Sequence, residues 1–303
     1  MSKKQIYFAL GLGIICISAS GILVKILEIR QLPLLGVAAY RMLFAAFLLG
    51  LPALILKRHE LTKLRFSQTL SLVFAGLFLA LHFGTWTVSL AYIPVARSVL
   101  LVTCHPIFTA LASRIVFKER FSLRNLIAIM IAFGGILVIL SESISDLTSV
   151  KGSLKGDLLA LTGAITIVGY IILGKKLRSE MGVISYAGSV YAICTAFLLP
   201  IALIIGASPS IFTSRDYLVL VGLAIIPTIG GHTVFNLLLK DVSATLISVA
   251  FLGEPLGAAL LAWLIFGEVP TLLTFIGGGF VLAGIYFVQL DPPTKNILPK
   301  ENN

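Results

Sequence analysis

The sequence predicts an all-α membrane protein of ten transmembrane helices arranged as two inverted five-helix repeats. Three observations predict it. Of 303 residues, 58% are hydrophobic and only 12% charged, with a mean hydropathy of +1.05; soluble domains run at about 45–50% apolar and about 25% charged. The apolar residues fall into ten runs of roughly 20, the length that crosses about 30 Å of hydrocarbon. The second half also repeats part of the first at one fixed offset. So much apolar surface exceeds what a single soluble core can hide, and lipid takes the remainder. Runs this long and unbroken are not the alternating strands of a membrane barrel, and helices are the other structure that satisfies its backbone in lipid.

The first run, roughly 6–27, follows Lys3 and Lys4. It is too long for a signal peptide and no small-x-small cleavage site closes it, so it reads as the first span. Pro33 opens the second run, 33–56, and proline suits a first helical turn, where its missing N–H is not needed. The third covers 68–91. Pro94 opens the fourth, 94–117, and the fifth covers 122–141. The sixth to ninth cover 156–175, 183–206, 216–239 and 242–266, and Pro270 opens the tenth, 270–290. Residues 1–141 and 156–290 are the expected repeats. Residues 142–155 are the expected extracytoplasmic linker, and 291–303 a cytoplasmic tail.

The net charge is +10. A nucleic-acid partner is excluded, because the basic residues form no continuous face and sit instead in the short connections. With the N-terminus inside, about 16 of them, including Lys57, Arg58, Lys63 and Arg65, fall on the cytoplasmic side and about 6 outside. That asymmetry places both termini in the cytoplasm and the chain in the cytoplasmic membrane. Cys16, Cys104 and Cys194 lie in separate apolar runs and read as packing residues, without metal or disulfide spacing. There is no Walker lysine loop, and no cofactor is expected.

Residues 90–140 lie over 239–289 at an offset of 149 without a gap. Pro106 meets Pro255, Phe117 meets Phe266, Glu119 meets Glu268, and Gly135 meets Gly284. Five spans per half is an odd number, so the second half enters the membrane upside down. Inverted repeats of this kind place a substrate site near the midplane, where the halves meet.

The stretches YRMLFAAFLLG, ARSVLLVTCHPIFTALASRIVFKERFSLRNLIAIMIAFGGILVI and SATLISVAFLGEPLGAALLAWLIFGEVPTLLTFIGGGFVLAGIYF resemble the EamA-type carriers of the drug/metabolite transporter superfamily. The resemblance covers nearly the whole chain. It implies ten helices, cytoplasmic termini, a central cavity and alternating access. Amino acids, nucleosides, sugar conjugates and drugs are all substrates of such carriers.

Candidate site residues are polar groups at mid-membrane depth. Glu254 precedes Pro255 near the middle of the ninth run; a carboxylate there costs about 2.5–3.5 kcal/mol on insertion scales and usually faces a cavity. It reads either as a proton or substrate-amine site or as support for a proline-broken helix, Pro255 freeing the Phe251 carbonyl. Its repeat partner, His105, precedes Pro106, so both halves place an ionisable residue at a helix break. His82, Thr85, Trp86 and Ser89 share one helical face, as do His232, Phe235 and Asn236. These faces read as cavity walls, or as inter-helix packing. Arg41 either snorkels outward or faces the cavity. Arg97 reads as interfacial, and Tyr170 and Ser18 lie near mid-depth. Glu119 and Glu268 are expected to cap or pair locally. Gly134–Gly135 and Gly277–Gly279 are expected to allow close helix approach.

The expected function is a secondary carrier that exports a small organic metabolite such as an amino acid by alternating access. Facilitated diffusion, exchange and proton antiport all fit, so a proton is a candidate second partner beside the substrate and the bilayer. Two other readings are an intramembrane enzyme using His82, His105, His232 and Glu254, and a scaffold or receptor. The enzyme lacks a closely spaced nucleophile or metal triad, and a scaffold has no use for inverted symmetry.

Overall fold

The computed structural model describes residues 1–28, 30–93, 98, 101–118, 122–149, 154–266 and 272–290. The expectations placed on Pro94, Arg97, Glu119, Glu268, Pro270 and the tail 291–303 lie outside the described residues. All regular structure among the described residues is helical. Six helices are long and apolar enough to cross a membrane: α1 (Lys3–Glu28), α2 (Leu34–Leu56), α4 (Phe66–Ser89), α7 (Leu154–Arg178), α8 (Val183–Ile204) and α9 (Ser214–Leu238). A short α3 (Arg58–Thr62) joins α2 to α4. The others are α5 (His105–Phe117), α6 (Leu123–Ser149), α10 (Ala244–Ala250), α11 (Glu254–Phe266) and α12 (Leu272–Leu290).

Local chemistry sets the boundaries. Pro33 precedes α2. Thr213 and Asp216 form a reciprocal capping box at the start of α9, and Arg30 pairs with Asp216 at 2.9 Å. Lys118, in left-handed conformation with φ +52°, ends α5. The helix α6 runs on to Ser149, into the stretch read as a linker; residues 142–149 contain no glycine or proline to stop it.

Four elements depart from regular α-helix. The helix α2 is π-helical over Ala46–Gly50, just before Pro52, and α9 over Ala224–Thr233, around Pro227. The fourth and ninth predicted runs are not single helices. The former turns at Thr103–Cys104 before α5, and the latter is split by a 3₁₀ turn, Phe251–Gly253, between α10 and α11. Pro106 and Pro255 occupy the first turns of α5 and α11, where proline is tolerated. The Phe251 carbonyl, which Pro255 cannot engage, accepts instead from the Glu254 N–H.

The packing maps onto itself when the halves are exchanged. The helix α6 packs on α12 and α2 on α8; α4 on α7 is matched by α1 on α9, and α5 on α7 by α1 on α11. The glycines carry this to the atomic level. A Cβ on Gly135 would lie 2.5 Å from the Gly277 carbonyl and 2.8 Å from Val281 N, while one on Gly284 would lie 2.6 Å from the Ala128 carbonyl and 2.8 Å from Ala132 N. The two contacts interconvert under the offset of 149. Here the backbones of α6 and α12 touch, as expected of Gly135. Gly134 and Gly279 face open space instead.

Candidate functional site

A cavity lies where α1, α4, α7 and α9 meet the broken segments before α5 and α11. Its polar lining is Ser20, His82, Thr103, His105, His232 and Glu254, and its aromatic lining is Phe83, Trp86 and Phe251. Its cavity volume is about 30 Å³. That is room for roughly two waters.

The rings form a connected wall. His82 stacks on Trp86 at 6.3 Å with 8° between planes, Phe83 meets His232 edge-on at 5.3 Å, and Phe251 lies 5.4 Å from both His232 and His105. Spacing at i and i+4 on α4 makes the His82–Trp86 stack. Phe251 reaches the wall because the 3₁₀ turn places it one turn before Glu254.

Hydrogen bonds fix the histidine rings. The Thr109 hydroxyl donates to the His105 carbonyl (2.9 Å) and the Ser248 hydroxyl donates to Thr109 Oγ1 (2.9 Å). Ser248 Oγ therefore accepts from His105 Nδ1 at 2.6 Å. His82 Nδ1 donates to the Gly163 carbonyl at 2.9 Å. In the neutral ring both histidines then carry their proton on Nδ1 and leave Nε2 as an acceptor. The Ser248 contact also ties the broken segment of one half to α10 of the other.

Arg41 is buried at 2% exposure, its guanidinium held inside the bundle. Its Nε donates to Thr228 Oγ1 (2.7 Å), its Nη1 to Ser20 Oγ (3.1 Å), and its guanidinium lies 4.2 Å over the Phe83 ring. Ser20 and Phe83 both line the cavity. Thr228 is presented by the π-helical part of α9. Pro227 leaves the Leu223 carbonyl without its i+4 donor, and the Thr228 hydroxyl takes it at 2.8 Å. Tyr191 braces the same turn through the Thr228 carbonyl and Thr233.

Three buried polar atoms around this cavity have no hydrogen-bond partner among the described residues: Arg41 Nη2, Trp86 Nε1 and His232 Nδ1. Buried polar groups are seldom left unsatisfied in native proteins.

Of the sequence-predicted residues, His82, Trp86, His105, His232 and Glu254 line the cavity, and Arg41 is fastened to its wall. The other five lie elsewhere. The Thr85 hydroxyl donates to the Leu81 carbonyl within its own helix. Ser18 bonds to the Ile14 carbonyl and packs on Gly257, where a Cβ would lie 2.0 Å from its hydroxyl. Asn236 donates to the Tyr170 hydroxyl at 2.6 Å behind His232, and Phe235 fills the space over Gly13. Trp86 packs on Gly163, where an added Cβ would lie 3.3 Å from the Trp86 Cβ. Sequence reasoning missed Ser20, Phe83, Thr103, Thr228 and Phe251. Pro227 was the available signal for Thr228, and the turn before Pro255 the signal for Phe251.

The sequence profile of the EamA-like transporter family matches residues 4–141 and 154–290. An uncharacterized transporter of Archaeoglobus fulgidus is 27% identical over 94% of this chain and 97% of its own length. Proteins of Salmonella typhimurium and Escherichia coli, each described as a probable amino-acid metabolite efflux pump, are 26% and 25% identical over 94% of this chain and 95% of their own lengths. A solved crystal structure superposes over 95% of this chain and 98% of that one with a TM-score of 0.76 at 16% identity, a likeness of fold.

Proposed function

The chain belongs to the EamA-like transporter family, and from that premise we propose that it is a secondary carrier exporting an amino acid or a similar small zwitterion across the cytoplasmic membrane. A family of transporters implies a small-molecule substrate and a lipid environment. The observation that carries the substrate class is the make-up of the cavity. Glu254 offers a carboxylate for an ammonium group, while Arg41 Nη2 and Trp86 Nε1 are buried donors without partners, suited to a carboxylate. The aromatic wall suits an apolar side chain. The names of the Salmonella and Escherichia relatives agree with this reading.

In this reading the chain crosses the bilayer ten times. Helices α1, α2, α4 and α6, with the segment ending in α5, form one half; α7, α8, α9 and α12, with the α10–α11 pair, form the other, turned over. The distribution of the basic residues supports cytoplasmic termini. The small central cavity corresponds to an occluded stage of alternating access, and the breaks before Pro106 and Pro255 are the hinges. Glu254 carries the coupling proton, since it faces the cavity at one hinge.

Counterflow in proteoliposomes tests the proposal. Labelled amino acids should exchange through the protein, and nucleosides and cationic drugs should not. Glu254→Gln should remove the pH dependence of net flux. Absence of amino-acid counterflow overturns the substrate class, and unchanged pH dependence in the variant overturns the coupling role.

A further inference from the structure

A second, roomier hollow opens on the flank of the bundle. Its cavity volume is about 390 Å³, against about 30 Å³ in the central cavity. Gly50 and Leu54 of α2, Leu61 of α3, Leu72 of α4, and Ala192 and Ile193 of α8 are among its walls. Its only hydroxyls are those of Thr69 and Ser189, and Thr69 is bonded to the Arg65 carbonyl. The hollow forms because α2 and α8 meet at their backbones. A Cβ on Gly188 would lie 2.7 Å from the Leu49 carbonyl and 3.0 Å from Gly50 Cα. The space beside that contact is left unfilled.

On the ten-span reading proposed above, on which this inference rests, the hollow lies between two spans and faces hydrocarbon. Water does not fill an apolar void, and an empty one forfeits dispersion contacts along its walls. One end of the groove is closed by the loop 57–65, at the membrane surface between α2 and α4. That loop carries exposed Lys57, Arg58 and Lys63. The neighbouring acidic groups are already engaged. Glu60 accepts from Gly182 N and Ser185 Oγ, each at 2.5 Å, and Glu180 accepts from Arg65 at 2.8 Å and Gln68 at 2.5 Å. Among the described residues, Lys57, Arg58 and Lys63 make no ion pair. Leu61, on the groove wall, lies three positions after Arg58, which places Arg58 on its side of α3, and Lys57 immediately precedes that helix.

We propose that this groove is a binding site for one anionic phospholipid, its acyl chain lying between α2 and α8 and its phosphate held by Lys57, Arg58 and Lys63. The apolar trough selects a chain over a soluble anion, and the three uncompensated cations select an anionic headgroup over a zwitterionic one.

Native mass spectrometry of the detergent-purified protein, titrated with dioleoyl phosphatidylglycerol or dioleoyl phosphatidylcholine, tests the site. The wild type should retain phosphatidylglycerol as a one-to-one adduct, with a preference over phosphatidylcholine of about tenfold or more. Ala192→Trp and Leu54→Trp each introduce bulk at exposed groove positions and should remove the adduct. The triple variant Lys57→Gln, Arg58→Gln, Lys63→Gln should erase the headgroup preference while keeping weak retention of both lipids. Thermal unfolding of each variant establishes that it is folded, and two independent groove fillers guard against one failing to fold. Adducts unchanged in both tryptophan variants overturn the groove as the site. Equal retention of the two lipids by the wild type overturns the headgroup assignment. A dimer without lipid adduct that Ala192→Trp dissolves overturns the proposal in favour of a second copy of the chain.

Discussion

Substitution of Arg41 tests the substrate reading most directly. The guanidinium is held by Thr228, Ser20 and the Phe83 ring, which leaves Nη2 as the one nitrogen for a ligand. A hydrogen bond from a charged donor contributes about 1.5–3 kcal/mol, equal to about 10–150-fold in affinity. Arg41→Gln should therefore lower counterflow affinity for an amino acid by about that factor. Arg41→Lys keeps the charge but not the planar fork, so it cannot hold Thr228, Ser20 and a carboxylate together and should fall between the two. The informative comparison is an amino acid against its decarboxylated amine, measured on the same proteoliposomes. Loss of the guanidinium should collapse the discrimination between them and leave amine transport within about threefold of wild type, because a solute without a carboxylate never used that bond. The ratio is insensitive to how much protein is folded. An equal loss on both solutes would refute the assignment and make Arg41 a structural brace of α9.

Further outcomes follow from the packing and the charges. Gly135→Val and Gly284→Val each drive a side chain into backbone at the α6–α12 contact, and each should destabilise the protein by about 1–3 kcal/mol in thermal or denaturant unfolding; unchanged stability would contradict the direct backbone contact. The two contacts belong to one interface, so the double variant should lose less than the sum, and strict additivity would separate them. Ser248→Ala leaves the buried His105 Nδ1–H without its acceptor and should cost about 1–3 kcal/mol in the same assay; no change would deny the bond. In a cysteine-free background, Lys63→Cys should react with an impermeant maleimide from the same membrane side as Lys3→Cys, and Lys155→Cys from the opposite side; labelling of all three from one face would refute the ten-span orientation.

The apolar runs were legible because a span must be long and greasy along its whole length, and that requirement leaves its mark on composition. The repeat was legible through Pro106, Pro255, Gly135 and Gly284, which are fixed by backbone geometry. Side-chain direction was less so. Thr85 and Trp86 are neighbours in sequence, yet Trp86 lines the cavity and Thr85 caps a carbonyl of its own helix. Regular helical spacing placed Asn236 on the same face as His232, but it lies a layer behind, against Tyr170. The π-helical stretch of α9 shifts the helical phase by a residue per turn, and a 3.6-residue pattern carries no record of that. Prolines such as Pro227 mark where such a stretch can form, but not which hydroxyl will take the freed carbonyl.

Placing the ionisable groups at the helix breaks has a mechanical consequence. At the joint before Pro255 the Glu254 N–H engages the Phe251 carbonyl in a 3₁₀ turn, and Pro255 supplies no N–H to the α-helical ladder. The joint between α10 and α11 is therefore softer than either helix. Glu254 sits on the joint itself, so a charge it binds acts where little force is needed to change the angle. His105 sits at the matching joint of the other half and is bonded to Ser248 on α10. A bend at one joint thus displaces the partner of the residue at the other. Under the proposed alternating access, two joints linked in this way would favour states in which both halves tilt together, so that the cavity opens to one side while it closes to the other. In the proposed carrier the cavity ligand and the joints would form one mechanical unit, with the polar groups that line the cavity placed at the joints themselves.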